Sequence, residues 1–202
     1  DERALRRAME LLARRPDLGA VAMHPRHPTT GRSEWSFAGG LDGSTCDHWP
    51  VMGCGNLVRR DAWLAAGGYE SGYFLYRNDT DLALKLLGLG YGVHFNPAWV
   101  VWHDTGAGAG ARKSLNWHRT ATRNWIWLAR RHGGGFRHGH TWRGGILGWL
   151  WAHKLAGLSP ARHLATLRGV LAGFRQPAPS LDPRVRSAAA FDDLLRRLVE
   201  RD

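Results

Sequence analysis

The chain has 202 residues, 44% hydrophobic and 22% charged, a length and composition that allow a buried core and exclude disordered or fibrous classes. Its net charge of +11 is carried almost wholly by arginine, since Lys85, Lys113 and Lys154 are the only lysines, and it points to an anionic partner: a phosphate-bearing substrate, a lipid surface or nucleic acid. No apolar run approaches the roughly 18 residues of a spanning helix, and no signal peptide opens the sequence. The expected location is therefore cytoplasmic, with peripheral attachment to the inner face of the plasma membrane as the furthest extension of it.

The first stretch, DERALRRAMELLARRPDLGAVAM, predicts an amphipathic helix with Leu5, Met9, Leu11 and Leu12 on one face, then Pro16 and a short strand at residues 20–23. Residues 24–50 are loop-rich, and Trp35, Phe37 and Trp49 stand in them as candidate platforms for a ligand. VMGCGNLVRRDAWLAAGGY then predicts a short strand at Leu57 and Val58, a helix capped by Asp61, and a stop at Gly67 and Gly68. Helical spacing runs from Thr80 to Leu89, and a strand from Val93 to Trp102 follows, in which Pro97 argues for an edge position or a bulge.

Beyond the glycine-rich DTGAGAGA, a helix through RKSLNWHRTATRNWIWLARRH carries Trp117, Ala121, Asn124 or Trp125, and Leu128 along a face. A second helical stretch spans 141–175, QPAPSLDP reads as a linker, and a last short helix covers 184–201. The expected organisation is thus residues 1–112 as the catalytic part, 113–176 as a helical, membrane-associating extension, and 177–202 as linker and terminal helix. Cys46 and Cys54 are the only cysteines, and the absence of any sign of secretion favours reduced thiols.

Two carboxylates, Asp79 and Asp81, open the helix that begins near Thr80. Helix capping alone accounts for acids at that place. The aromatic approach GGYESGYFLYRND, with Tyr69, Tyr73, Phe74 and Tyr76, adds a wall suited to a sugar or an apolar acceptor, and an ionised aspartate beside it can take a proton from an attacking hydroxyl. His103 follows a hydrophobic strand, the end of a strand being where open α/β sheets place ligands, and a neutral imidazole there can hold a divalent metal.

The run GCGNLVRRDAWLAAGGYESGYFLYRNDTDLALKLLGLGYGVHFNPAWVVWH resembles the carboxyl half of family-two glycosyltransferases. The residues that carry the likeness are Leu57 to Arg60, Gly67 to Glu70, Tyr73 to Tyr76, Asp79, Asp81, Leu82, Lys85, Gly90, Tyr91, Pro97 and His103, with a weaker likeness to rhamnosyl- and galactofuranosyl-type members at TRNWIWLARRH. The resemblance implies an α/β, Rossmann-like GT-A domain that lacks its amino-terminal nucleotide-binding half and is followed by a helical extension. It implies Asp79 as general base, Asp81 as supporting acid, and His103 as ligand to Mg or Mn. Expected substrate contacts are Trp49, Gly55, Asn56, Tyr76, Asn78, Arg123 and Asn124. Asn78 stands where many members carry Glu.

The implied reaction is inverting transfer of a sugar from a nucleotide-diphosphate donor to a glycan or polyprenyl-linked acceptor in cell-envelope polysaccharide assembly, with rhamnose or galactofuranose as donors to try. The sequence begins like the segment just after the family's Asp-x-Asp motif, so the chain is expected to be a fragment. Other readings are a non-catalytic remnant or partner subunit, and a basic nucleic-acid-binding module, which the lack of any such motif disfavours. In the tail, Leu147, Trp149, Leu150 and Trp151 beside Arg143, Lys154, Arg162 and Arg168 could form interfacial helices on an anionic membrane or pack on the catalytic domain.

Overall fold

A run of small and apolar residues, LGAVAMHPR, forms the central strand β1 (Leu18–Arg26), buried from Leu18 to Pro25. The computed structural model describes residues 2–33, 45–50, 53–104, 113–133, 144–145, 148–150, 153–154 and 156–199. Among these the fold is α/β, with a three-stranded mixed sheet of order β2-β1-β3. β2 (Asn56–Val58) runs antiparallel to β1, with Ala22 opposite Asn56, and β3 (Gly92–Trp102) runs parallel to it. Parallel pairing requires a crossover. The chain between β2 and β3 supplies it through α2 (Arg60–Ala65), one 3-10 turn (Ser71–Tyr73) and α3 (Asn78–Gly88).

Pro97 breaks the ladder as its missing N–H requires: the register shifts between Met23, opposite Asn96, and His24, opposite Val100. The outer side of β3 is covered by residues 46–49, through bridges from Cys46 to Phe95 and from His48 to Val93. Cys46 and Cys54 are not joined in a disulfide.

α1 (Glu2–Arg14) presents a different face to the sheet from the one expected. Ala4 and Ala8 are buried, with Leu11 and Leu12 partly so, against Val21, Met23 and Trp99, whereas Leu5 and Met9 are exposed. Small side chains let the helix come close to the sheet, and the larger pair a quarter-turn away is left outside.

α4 (Leu115–His132) buries the predicted face, Trp117, Ala121, Asn124, Trp125 and Leu128, and Ser114 caps it by accepting from the N–H of Trp117. α5 (Pro160–Arg175) lies on α4 through Ala165, Thr166, Gly169 and Gly173. A Cβ at Gly169 would come 2.4 Å from the carbonyl oxygen of Arg119, and one at Gly173 would come 2.8 Å from Ile126, so the contact needs glycine at both places.

The last helix, α6 (Ala188–Val199), is no appendage. Phe191, Leu194 and Leu195 are fully buried in one core with Trp49, Tyr73, Leu82, Phe95, Trp125 and Leu128. The division at 112/113 and 176/177 therefore does not separate independent cores: the tail closes over α3 and α4, and Arg186 donates its backbone N–H to the carbonyl of Gly88.

Candidate functional site

The loop between α2 and α3 carries the exposed aromatic residues, and four side chains from α3 and α4 clamp it. Lys85 on α3 donates from Nζ to the carbonyl of Gly68 at 2.6 Å. Arg131 on α4 pairs with Glu70 at 3.0 Å, and Glu70 also accepts from the N–H of Gly72. Arg123 stacks over Trp127 at 4.2 Å and reaches the carbonyl of Gly72 at 3.4 Å. Asn124 Nδ2 donates to the carbonyls of Tyr73, Leu75 and Tyr76 at 3.0, 2.6 and 2.8 Å.

That clamp holds a strained backbone. Phe74 has φ 57 and ψ −70, and Leu75 donates its N–H across it to the carbonyl of Tyr73 at 2.7 Å, a γ-turn of the rare kind. Tyr76 and Arg77 also lie at positive φ, 66 and 71. Three non-glycine residues in such conformations cost on the order of 1–3 kcal/mol each, and they persist where surrounding structure over-determines them. The geometry leaves Phe74, Leu75, Tyr76 and Tyr69 exposed. Tyr73, expected in the same wall, is turned inward and fully buried against Trp127.

The two acids at the start of α3 point into opposite surroundings. Asp79 is half-buried, and its Oδ1 accepts from the backbone N–H of Thr80 at 2.8 Å. Burial raises its pKa above the usual carboxylate range, against the lowering effect of that hydrogen bond and of Arg77. Tyr69 lies close enough for Asp79 to influence its phenol, which hydrogen-bonds Asn56, and burial is the main cause of the raised Tyr69 pKa.

Asp81 has no solvent exposure. It accepts from His132 Nε2 at 2.8 Å and pairs with Arg131 Nε at 3.2 Å and Lys85 Nζ at 3.4 Å. Burial alone would raise its pKa; the hydrogen bond from His132 and the neighbouring cations overcome that and hold it below the ordinary value. Burial keeps His132 neutral, so Nε2–H donates to Asp81 while Nδ1 accepts from the buried Ser187 hydroxyl at 2.7 Å. Lys85 and Arg131 against Asp81 and Glu70 make a charge-balanced buried group, which buried ions require.

Several expected contacts are corrected by these positions. Trp49 is core, stacked on Phe95 at 4.4 Å with Arg197 over its ring at 5.0 Å, so neither face is open to a ligand. Asn124 is fully buried, its amide committed to three carbonyls and its Oδ1 to Arg123 at 2.8 and 3.0 Å. Arg123 and Asn124 thus position the loop. Asp81 likewise faces the network between α3 and α4, away from any ligand.

The rest lie at the loop or the carboxyl edge of the sheet. Asn78 is half-buried at the first position of α3, and Tyr76 is exposed with its ring edge-on to Trp117 at 5.8 Å. Gly55 has φ +70, and a Cβ there would come 2.5 Å from Val101, so this tight passage to Asn56 needs glycine. His103 follows β3 half-buried, with its backbone N–H on the carbonyl of Arg26, the last residue of β1. Among the described residues no group of three or more His, Cys, Asp or Glu is arranged to hold a metal ion. Trp35, Phe37, Arg143, Leu147 and Trp151 lie outside the described residues.

His132 and Arg131 were not legible as partners of Asp81, nor Ser187 as the partner of His132. Of the network, only the four-residue spacing of Asp81 and Lys85 carries a local signal. Compared with known protein families, curated proteins and solved structures, the chain matches none of them.

Proposed function

We propose that the chain supplies the acceptor side of an inverting glycosyltransferase of GT-A type, with Asp79 as the base. The single observation that carries the reading is the divergence of the two aspartates. Asp81 is consumed by a buried ion network, whereas Asp79 is half-open, spends Oδ1 on its own helix, and follows a clamped run of exposed aromatic side chains. An acceptor hydroxyl lying on Phe74, Tyr76 or Tyr69 would meet a carboxylate whose raised pKa makes it a better proton acceptor than an ordinary aspartate.

In that reaction the acceptor oxygen attacks the anomeric carbon from the face opposite the nucleotide diphosphate, and Asp79 takes the hydroxyl proton as the new bond forms. The nucleoside diphosphate leaves with the electron pair of the broken bond. Aromatic faces suit the apolar side of a pyranose or furanose ring, and the phenol of Tyr69, which hydrogen-bonds Asn56, adds a polar group within electrostatic reach of Asp79. His103, at the carboxyl end of β3, is the residue here that would help hold a divalent ion, which when bound would supply positive charge for the leaving diphosphate. Envelope polysaccharides and their polyprenyl-linked precursors are the acceptor class proposed, with rhamnose and galactofuranose as donor sugars.

The test is release of nucleoside diphosphate from a panel of nucleotide-diphosphate sugars by the protein as its host makes it, with and without glycan acceptor. Acceptor-dependent release that disappears in Asp79→Asn, with the fold kept, supports the assignment; equal release by that variant removes it.

A further inference from the structure

α5 packs inside out for a helix on a water-soluble surface. Its small residues, Gly169 and Gly173 four apart, face α4, while Leu164, Leu167 and Leu171 face outward at 48%, 48% and 42% exposure. Among the described residues, nothing covers the face ordinarily spent on a core. Leu158, in the turn that leads into the helix, is completely exposed.

The sequence that carries this face is charged with one sign. Between Asp104 and Asp182 the sequence has no acidic residue and twelve Arg and Lys, so this segment accounts for the chain's excess of positive charge. Arg168 and Arg175 share the exposed side of α5 with the three leucines, both at four-residue spacing from one of them. Among the described residues, no helix is long and apolar enough to cross a membrane. Leucines interleaved with arginines on one face, and glycines on the other, suit a helix that lies in the plane of a bilayer surface with its leucines among the acyl chains and its guanidiniums on phosphates.

We infer that the outward face of α5 docks on an anionic phospholipid bilayer, with Leu164, Leu167 and Leu171 inserted at the interface and Arg168 and Arg175 on lipid phosphates. The inference does not depend on what Asp79 acts upon. If both hold, the docked helix brings the clamped loop, which α4 holds from its other side, to a lipid-linked acceptor.

The test is sedimentation of the full chain with extruded phosphatidylcholine vesicles containing about 30% phosphatidylglycerol as the anionic lipid, and with pure phosphatidylcholine vesicles. Three proteins are compared: the natural sequence, Leu164→Gln/Leu167→Gln/Leu171→Gln, and Arg168→Gln/Arg175→Gln. Glutamine keeps helix propensity, and the sites are exposed, so thermal unfolding should stay close to that of the natural protein. Binding to anionic vesicles that weakens roughly tenfold or more in the leucine variant, and that weakens in the arginine variant with loss of preference for the anionic lipid, is the expected result. Three outcomes would overturn it: no binding to anionic vesicles at low salt, binding unchanged by the leucine substitutions, or a homodimer that the leucine variant converts to monomer without vesicle binding. The last would mean that a second copy covers the face.

Discussion

Asp79 and Asp81 stand two residues apart on α3 and live in opposite electrostatic worlds: the first is half-open with a raised pKa, the second is sealed against His132 at 2.8 Å with a lowered one. On a helix of 3.6 residues per turn, residues two apart are rotated by roughly 200° from one another. One therefore faces the loop and sheet edge and the other faces α4. Removing each charge should have opposite effects on stability.

Asp79→Asn removes a carboxylate that the fold holds in a raised-pKa site. Such a charge opposes folding at neutral pH, so the variant should keep or slightly raise its melting temperature, by up to about 1 kcal/mol in stability. Turnover should fall by a factor on the order of 100 or more, the scale of general base catalysis. Calorimetry beside the release assay checks both halves.

Asp81→Asn should do the reverse, leaving Lys85 and Arg131 buried without their shared anion. Breaking a buried pair from one side costs about 3–5 kcal/mol. A urea midpoint that drops accordingly confirms Asp81 as the anchor of the tail and loop; a midpoint within experimental error of the natural protein contradicts it.

Asn124→Ala should release the loop. It strips the carbonyls of Tyr73, Leu75 and Tyr76 of a shared donor and removes what fixes three left-handed residues, so a loss of about 2 kcal/mol or more is expected. Limited proteolysis should cut between residues 73 and 77 in the variant before it cuts elsewhere.

Phe74→Gly separates strain from recognition. Glycine accepts φ 57 without penalty, and Phe74 is 78% exposed, so stability should hold or rise. The acceptor KM should increase, while donor hydrolysis without acceptor stays unchanged.

Acidification should destabilise the fold in two stages. His132 has a folded pKa below its unfolded value, so the unfolded chain takes the proton first and stability falls as pH drops through about 6.5 towards the folded pKa. His24 and His118, also lowered by burial, act in the same sense. Asp81 follows: its contribution is present above the unfolded carboxyl pKa and is lost as pH falls through its lower folded pKa. Asp79, raised, works the other way and softens the second stage. Melting temperatures from pH 7 to 5 should decline less steeply in His132→Gln than in the natural protein.

The sheet and α3 were legible because their signals are local: a buried apolar run, a proline that must sit at an irregularity, and a glycine stop at Gly90. The face of α4 followed from its period. The face of α1 did not, because Ala4 and Ala8 read as neutral although their smallness is what decides the approach. Trp49 could not be placed, since a tryptophan in a loop-rich stretch looks the same whether Phe95 and Arg197 close on it or a ligand does. The roles of Arg123, Asn124 and His132 rest on partners 48 to 55 residues away. Nothing in their own neighbourhoods marks them as clamps.

The central claim, that one aspartate is poised for chemistry and the other is spent on structure, is tested most directly by titrating the side-chain carboxyl carbons of Asp79 and Asp81 by NMR, with Asp79→Asn and Asp81→Asn used for assignment. The account predicts that Asp79 titrates above, and Asp81 below, the ordinary aspartate value of about 3.9. An Asp79 that titrates at or below that value, as a simple helix-capping carboxylate would, contradicts it.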